Sequence, residues 1–133
     1  MAGEPAAGRV LIADDDPHVR EMLREFLAGR GYEVATAATG GQAIDAVRIF
    51  QPDVILIDRL MPNLSGTDVL DALRRAGVTM PVILMSGHQA TAREGFFEVL
   101  QKPFKLQGLA DVVASAMDHG RTLRAPDDRR RLL

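Results

Sequence analysis

Val10-Leu11-Ile12-Ala13-Asp14-Asp15-Asp16 runs through four apolar residues and stops at three carboxylates. A solid apolar run, without polar alternation, marks a strand buried on both faces, as in a parallel sheet with helices above and below it. The next segment is helical. Val19, Met22, Leu23, Phe26 and Leu27 recur at the spacing of one helix face. Asp16 stands as N-cap ahead of Pro17, and Gly29 and Gly31 close the segment.

Outward from this stretch the same alternation repeats. Residues 32–36 read as a short strand, and Thr39 with Gln42 as a capping box opening a helix that buries Ala43, Ile44 and Val47. Residues 54–57 form a second solid run, ended by Asp58, after which Ser65 caps a helix that turns Val69, Leu70 and Leu73 inward. Pro81 opens the run 82–85, which ends at Ser86-Gly87. A last strand near 96–100 ends at Gln101-Lys102-Pro103, and Leu106, Leu109, Ala110, Val113 and Met117 line a final helix closed by Gly120. Five strands alternating with four or five helices make right-handed crossovers and one parallel sheet. No internal repeat is visible. Residues 9–120 read as one domain, flanked by a flexible 1–8 and a basic, disordered 121–133.

Composition removes several function classes. The 133 residues contain no cysteine, which excludes a disulfide framework, a thiolate metal site and a cysteine nucleophile. No apolar run approaches the roughly 20 residues of a membrane span, and the start lacks a basic cluster followed by an apolar core. A cytoplasmic protein without membrane insertion is expected. The net charge of −2 conceals an asymmetry: residues 121–133 hold five Arg and two Asp, so the rest of the chain stands at −5. An acidic body is a poor match for nucleic-acid phosphates, and no direct nucleic-acid binding is expected. Fourteen arginines accompany only two lysines, Lys102 and Lys105.

Open parallel sheets bind ligands beyond the carboxyl ends of their strands. Asp14, Asp15 and Asp16 end the first strand, Asp58 the third, Ser86 the fourth and Lys102 the fifth. Carboxylates gathered in one cleft stay ionised only when a cation balances them. Oxygen donors without His or Cys favour a hard ion such as Mg²⁺, which is commonly shared with a phosphate. A lysine opposite can hold a phosphoryl oxygen as a point charge, and Ser86 can donate its hydroxyl. One carboxylate then acts as nucleophile and carries the phosphoryl group as an acyl phosphate.

The segments VLIADDDPHVR (10–20), ILIDRLMPNLSG (55–66), PVILMSGH (81–88) and QKPF (101–104) resemble the receiver domain of bacterial two-component response regulators, over residues 9–119. The resemblance implies a flavodoxin-like, doubly wound sheet of order 2-1-3-4-5 with helices on both faces. It matches Asp58 to the phosphoacceptor, which takes its phosphoryl group from the phosphohistidine of a sensor histidine kinase or a phosphotransfer protein. Asp14, Asp15, Asp58 and the backbone carbonyl of Leu60 match the Mg²⁺ ligands. Ser86 matches the hydroxyl that moves toward the phosphoryl group, and Lys102 the family lysine, with a cis bond to Pro103. The implied role is a signalling switch that catalyses its own phosphorylation and dephosphorylation, as a monomer or weak dimer.

Two departures from the family pattern bear on that role. Only sixteen steps separate Ser86 from Lys102, fewer than the family usually spends. The helix between the fourth and fifth strands is therefore expected to be short or missing across 89–95, as in receivers of hybrid sensor kinases. Val99 stands where the family usually carries an aromatic switch residue, leaving Phe96 or Phe97 as substitutes. The alternative function is an aspartyl-phosphate-forming, metal-dependent phosphohydrolase. Enzymes of the haloacid-dehalogenase type want a second acid two residues after the nucleophile, and here that residue is Leu60. A flavodoxin-like cofactor binder is disfavoured by three aspartates where a phosphate would sit.

Overall fold

A computed structural model describes residues 7–87 and 95–132, with 121–132 given by backbone course alone. Five parallel strands, β1 (Arg9–Ala13), β2 (Glu33–Ala37), β3 (Val54–Asp58), β4 (Val82–Ser86) and β5 (Glu98–Gln101), form one sheet in the order β2-β1-β3-β4-β5. The described helices are α1 (Pro17–Gly29), α2 (Gly40–Phe50), α3 (Gly66–Arg75) and α4 (Leu106–Leu132). This is the flavodoxin-like arrangement expected from the sequence. The short crossover expected at 89–95 falls, except for Gly95, on residues outside those described. Among the described residues, no helix is long and apolar enough to cross a membrane.

The solid apolar runs serve two cores at once. Val10, Ile12, Val54, Leu56, Ile83 and Met85 face a core completed by Leu23 and Leu27 of α1 and Leu109, Val113 and Met117 of α4. Their neighbours Leu11, Ala13, Ile55, Ile57, Val82 and Leu84 face the other side, against Ala43 and Val47 of α2 and Val69, Leu70 and Leu73 of α3. Side chains alternate across a strand, so every interior position of β1, β3 and β4 is apolar. Polar residues are therefore confined to the strand ends.

Local signals set the helix starts. The Asp16 carboxylate accepts from the amides of His18 and Val19, ahead of Pro17. Thr39 accepts from the Gln42 amide, but the Gln42 side chain returns to Ala38 rather than to Thr39. Ser65 and Asp68 form a full reciprocal box. Gly120 does not end α4. The glycine is buried against Pro81, and the backbone stays helical to Leu132, through the segment expected to be disordered. One glycine costs a helix only about 1 kcal/mol, so it need not end one.

Gly66 matters more, because it opens α3 directly beneath the end of β3. A Cβ there would lie 2.8 Å from the Asp58 carbonyl oxygen and 2.9 Å from Leu84 Cδ1. Its amide donates to the Arg59 carbonyl at 3.0 Å. Gly66→Ala is expected to lower the stability read from urea unfolding by about 1–3 kcal/mol, as overpacked sites do. An unchanged midpoint would show that the β3–α3 loop yields freely.

Candidate functional site

The parallel register brings the polar strand ends to one edge. Ala13 pairs with Ala37 and Ile57, Asp58 with Met85, and Ser86 with Gln101. Asp14, Asp58, Ser86 and Lys102 thus lie at the carboxyl ends of β1, β3, β4 and β5. Asp14 is fully buried, and all four of its polar groups are engaged. Its amide donates to the Ala37 carbonyl at 3.1 Å. Its Oδ1 accepts from the Asp16 amide at 2.9 Å, and its carbonyl accepts from Arg20 Nη1 at 2.8 Å. Its Oδ2 faces the Lys102 ammonium at 3.3 Å.

The same Nζ lies 3.3 Å from Asp58 Oδ1, whose side chain is 13% exposed. Asp14, Asp15 and Asp58 each offer a carboxylate oxygen, all within 4.8 Å of one another. Asp16 is not part of this group, since its carboxylate caps α1. Ser86 is fully buried at the end of β4, and its carbonyl accepts from the Lys102 amide at 2.6 Å. The Lys102–Pro103 bond is cis. Leu60 follows Asp58 by two residues and is 60% exposed. Lys105 lies at the start of α4, where its carbonyl accepts from the Leu109 amide.

Electrostatics make the site short of positive charge. Burial pushes the Asp58 carboxyl above its ordinary range, and the neighbouring Asp14 pushes it further, against the pull of Lys102. Burial works against the Lys102 ammonium, but Asp14 and Asp58 outweigh it and hold its pKa above the usual lysine value. The lysine stays charged, yet the cluster holds three carboxylates and Lys102 pairs with only two of them. Oxygen-only donors at this spacing fit a hard divalent ion such as Mg²⁺.

The substitutes for the aromatic switch residue do not reach this edge. The Phe97 amide donates to the Val82 carbonyl at the start of β4, the opposite end from Ser86, and its ring lies 5.4 Å from that of His119. Phe96 and Val99 both pack against the core on the side of the sheet that α2 and α3 cover. No aromatic side chain of β5 therefore stands beside Ser86.

The response regulator receiver domain model matches residues 10–114 of the chain. This chain belongs to the response regulator receiver family. The receiver is 36% identical over 103 residues to the DNA-binding response regulator MtrA of Mycolicibacterium smegmatis, a match covering 73% of this chain and 45% of that protein. It is 35% identical over 107 residues to the response regulator MprA of Mycolicibacterium vanbaalenii, covering 76% and 46%. The chain thus spans about half the length of these curated relatives. Among solved structures, a Francisella response regulator receiver domain superposes with a TM-score of 0.79 at 29% identity, covering 84% of this chain and 98% of that one. The response regulator TrrA of Thermotoga maritima, in complex with Mg²⁺ and BeF, gives 0.75 at 28% identity, covering 81% and 97%.

One contact at the site carries no signal in the sequence: the guanidinium of Arg20 on the Asp14 carbonyl. Arg20 ends the segment 10–20 that carries the resemblance, but no residue type in it records that the guanidinium meets a backbone carbonyl.

The raised Asp58 carboxyl has a stability consequence. A carboxyl whose folded pKa is raised adds stability below its unfolded value near 3.9, and that stability is lost as pH rises through the folded value. Asp58→Asn is therefore expected to raise the thermal midpoint of the metal-free receiver at pH 7.5 by roughly 3 °C. The gain should disappear near pH 3. In millimolar Mg²⁺ the order should reverse, because the ion stabilises only the intact cluster. A lower midpoint for Asp58→Asn without metal would contradict this charge balance.

Proposed function

We propose that this receiver is the phosphoacceptor of a two-component phosphorelay, taking a phosphoryl group on Asp58 from the phosphohistidine of a sensor histidine kinase or a phosphotransfer protein. The observation that supports it is the cluster of three carboxylates, Asp14, Asp15 and Asp58, two of which, Asp14 and Asp58, share the Lys102 ammonium. Bound by those carboxylates and the Leu60 carbonyl, Mg²⁺ would supply the charge that lets a phosphoryl group approach an anionic nucleophile.

The chain's own residues do the rest. An Asp58 carboxylate oxygen attacks phosphorus as the bond to the donor imidazole nitrogen breaks. The electron pair returns to that nitrogen, and Asp58 becomes a mixed carboxylic–phosphoric anhydride. Phosphoryl transfer asks for positioning and charge neutralisation more than covalent help. Lys102, already 3.3 Å from Asp58 Oδ1, shifts its ammonium to a phosphoryl oxygen. Ser86 donates its hydroxyl to another, and that inward pull biases the two-state surface. Hydrolysis of the anhydride by water resets the switch, so the receiver catalyses its own phosphorylation and dephosphorylation.

The functional unit is 9–120, acting in the cytoplasm as a monomer or weak dimer, with 1–8 and 121–133 as flanks. MtrA is a DNA-binding response regulator. This receiver, with its acidic body, is assigned no direct nucleic-acid contact.

Incubation with Mg²⁺ and acetyl phosphate is expected to add one phosphoryl group per chain, stable in acid and labile in base, by intact mass. Asp58→Asn, or removal of Mg²⁺ with chelator, should abolish the adduct. Multiple turnover without an adduct would contradict the proposal and indicate a phosphohydrolase.

A further inference from the structure

Asp15 is the exposed member of the carboxylate cluster, and among the described residues no hydrogen bond or ion pair reaches its side chain. Asp14 and Asp58, by contrast, share the Lys102 ammonium. The place of the Asp15 carboxylate therefore depends on its backbone, and first on the plane of the Asp14–Asp15 peptide. β1 ends at Ala13, and the Asp14 amide makes the last contact with the β2 side through Ala37. The Asp14 carbonyl, which lies in the plane of the next peptide, has left the strand ladder. A buried carbonyl beyond the ladder needs another donor.

Arg20 is that donor. Its Nη1 lies 2.8 Å from the Asp14 carbonyl oxygen in a part-buried position. Arg20 is itself fixed by the first turn of α1, its amide donating to the Asp16 carbonyl at 2.9 Å. Asp16 in turn caps α1 and donates its amide to Asp14 Oδ1 at 2.9 Å. A closed loop of contacts thus joins the helix to the peptide that precedes Asp15.

We infer that Arg20 is a positioning residue of the metal site: by holding the Asp14 carbonyl it sets the Asp14–Asp15 peptide plane, and so the direction in which the Asp15 carboxylate enters the cluster. The inference rests on the proposed Mg²⁺ site. It also makes a choice between signs. By charge alone, an arginine against the backbone of the acidic loop would disfavour a divalent cation, and its removal would tighten Mg²⁺ binding. As a tether it favours the cation, and its removal weakens binding. Contacts that orient ligands in this way are worth about 10–100-fold in metal affinity.

The test is a calorimetric titration of Mg²⁺ into the metal-free full chain. The set comprises wild type, Arg20→Met, Asp15→Asn and the double variant, each checked for an intact thermal transition without metal. Arg20→Met is expected to weaken Mg²⁺ binding about 10-fold in the wild-type background and hardly at all in the Asp15→Asn background. Should Arg20→Met not fold, Arg20→Gln, whose amide is too short to reach the carbonyl, takes its place with the same expectation. Unchanged or tighter binding, or an equal loss in both backgrounds, would overturn the inference. A wild-type chain that takes up no Mg²⁺ would overturn the metal site itself, and this inference with it.

Discussion

The Lys102 ammonium, set 3.3 Å from both Asp14 Oδ2 and Asp58 Oδ1, is the contact on which the functional edge depends. It joins the ends of β1, β3 and β5, and it is the positive charge that lets two largely buried carboxylates sit side by side. It is not enough for three. Burial and the neighbouring Asp14 still hold the Asp58 carboxyl above its ordinary range. The resting site is thus incompletely neutralised, and in the proposed role a divalent cation would answer the deficit while a phosphoryl group would give Lys102 a new partner. A switch follows when one cation has two alternative sets of anions.

The sheet delivers this arrangement because both of its faces are covered. With one core against α1 and α4 and another against α2 and α3, the central strands have no interior position for a polar side chain. Chemistry is displaced to the strand ends, and parallel direction puts those ends on one edge. Gly66 allows α3 to begin directly beneath Asp58, and Arg20 ties α1 to the backbone of the acidic loop. At β5 the receiver differs from its family's usual pattern. Val99 is half-buried on the α2–α3 side, and Phe96 and Phe97 sit at the far end of the strand from Ser86. Any movement of Ser86 must therefore pass through aliphatic packing rather than through a ring on β5.

The strands and the carboxylate edge are legible in the sequence because double coverage writes itself as uninterrupted apolar runs, and the first polar residue after each run marks the edge. Asp14, Asp58 and Ser86 stand out in that way, Asp15 and Lys102 follow one residue after such an end, and the structure gathers them at one edge. Asp16 ends the same run but turns aside to cap α1, a choice set by Pro17 behind it. Gly120 reads as a helix end, yet a single glycine is a weak stop and α4 continues past it. Arg20 is not legible, because its partner is a backbone carbonyl six residues earlier and no residue type records that. The substitute aromatics fail for a simpler reason: they precede Val99, and so lie toward the amino end of the strand, opposite the carboxyl edge where Ser86 stands.

In the proposed role Asp58, and neither Asp14 nor Asp15, becomes covalently modified, and only when the cluster is neutralised. Borohydride reduction of the acetyl phosphate-treated chain, with peptide mapping afterwards, tests it most directly, since an aspartyl phosphate is reduced to homoserine. Homoserine is expected at position 58 alone, formed in Mg²⁺ and absent in chelator. Reduction at position 14 or 15, or at position 58 without any divalent ion, would contradict the claim.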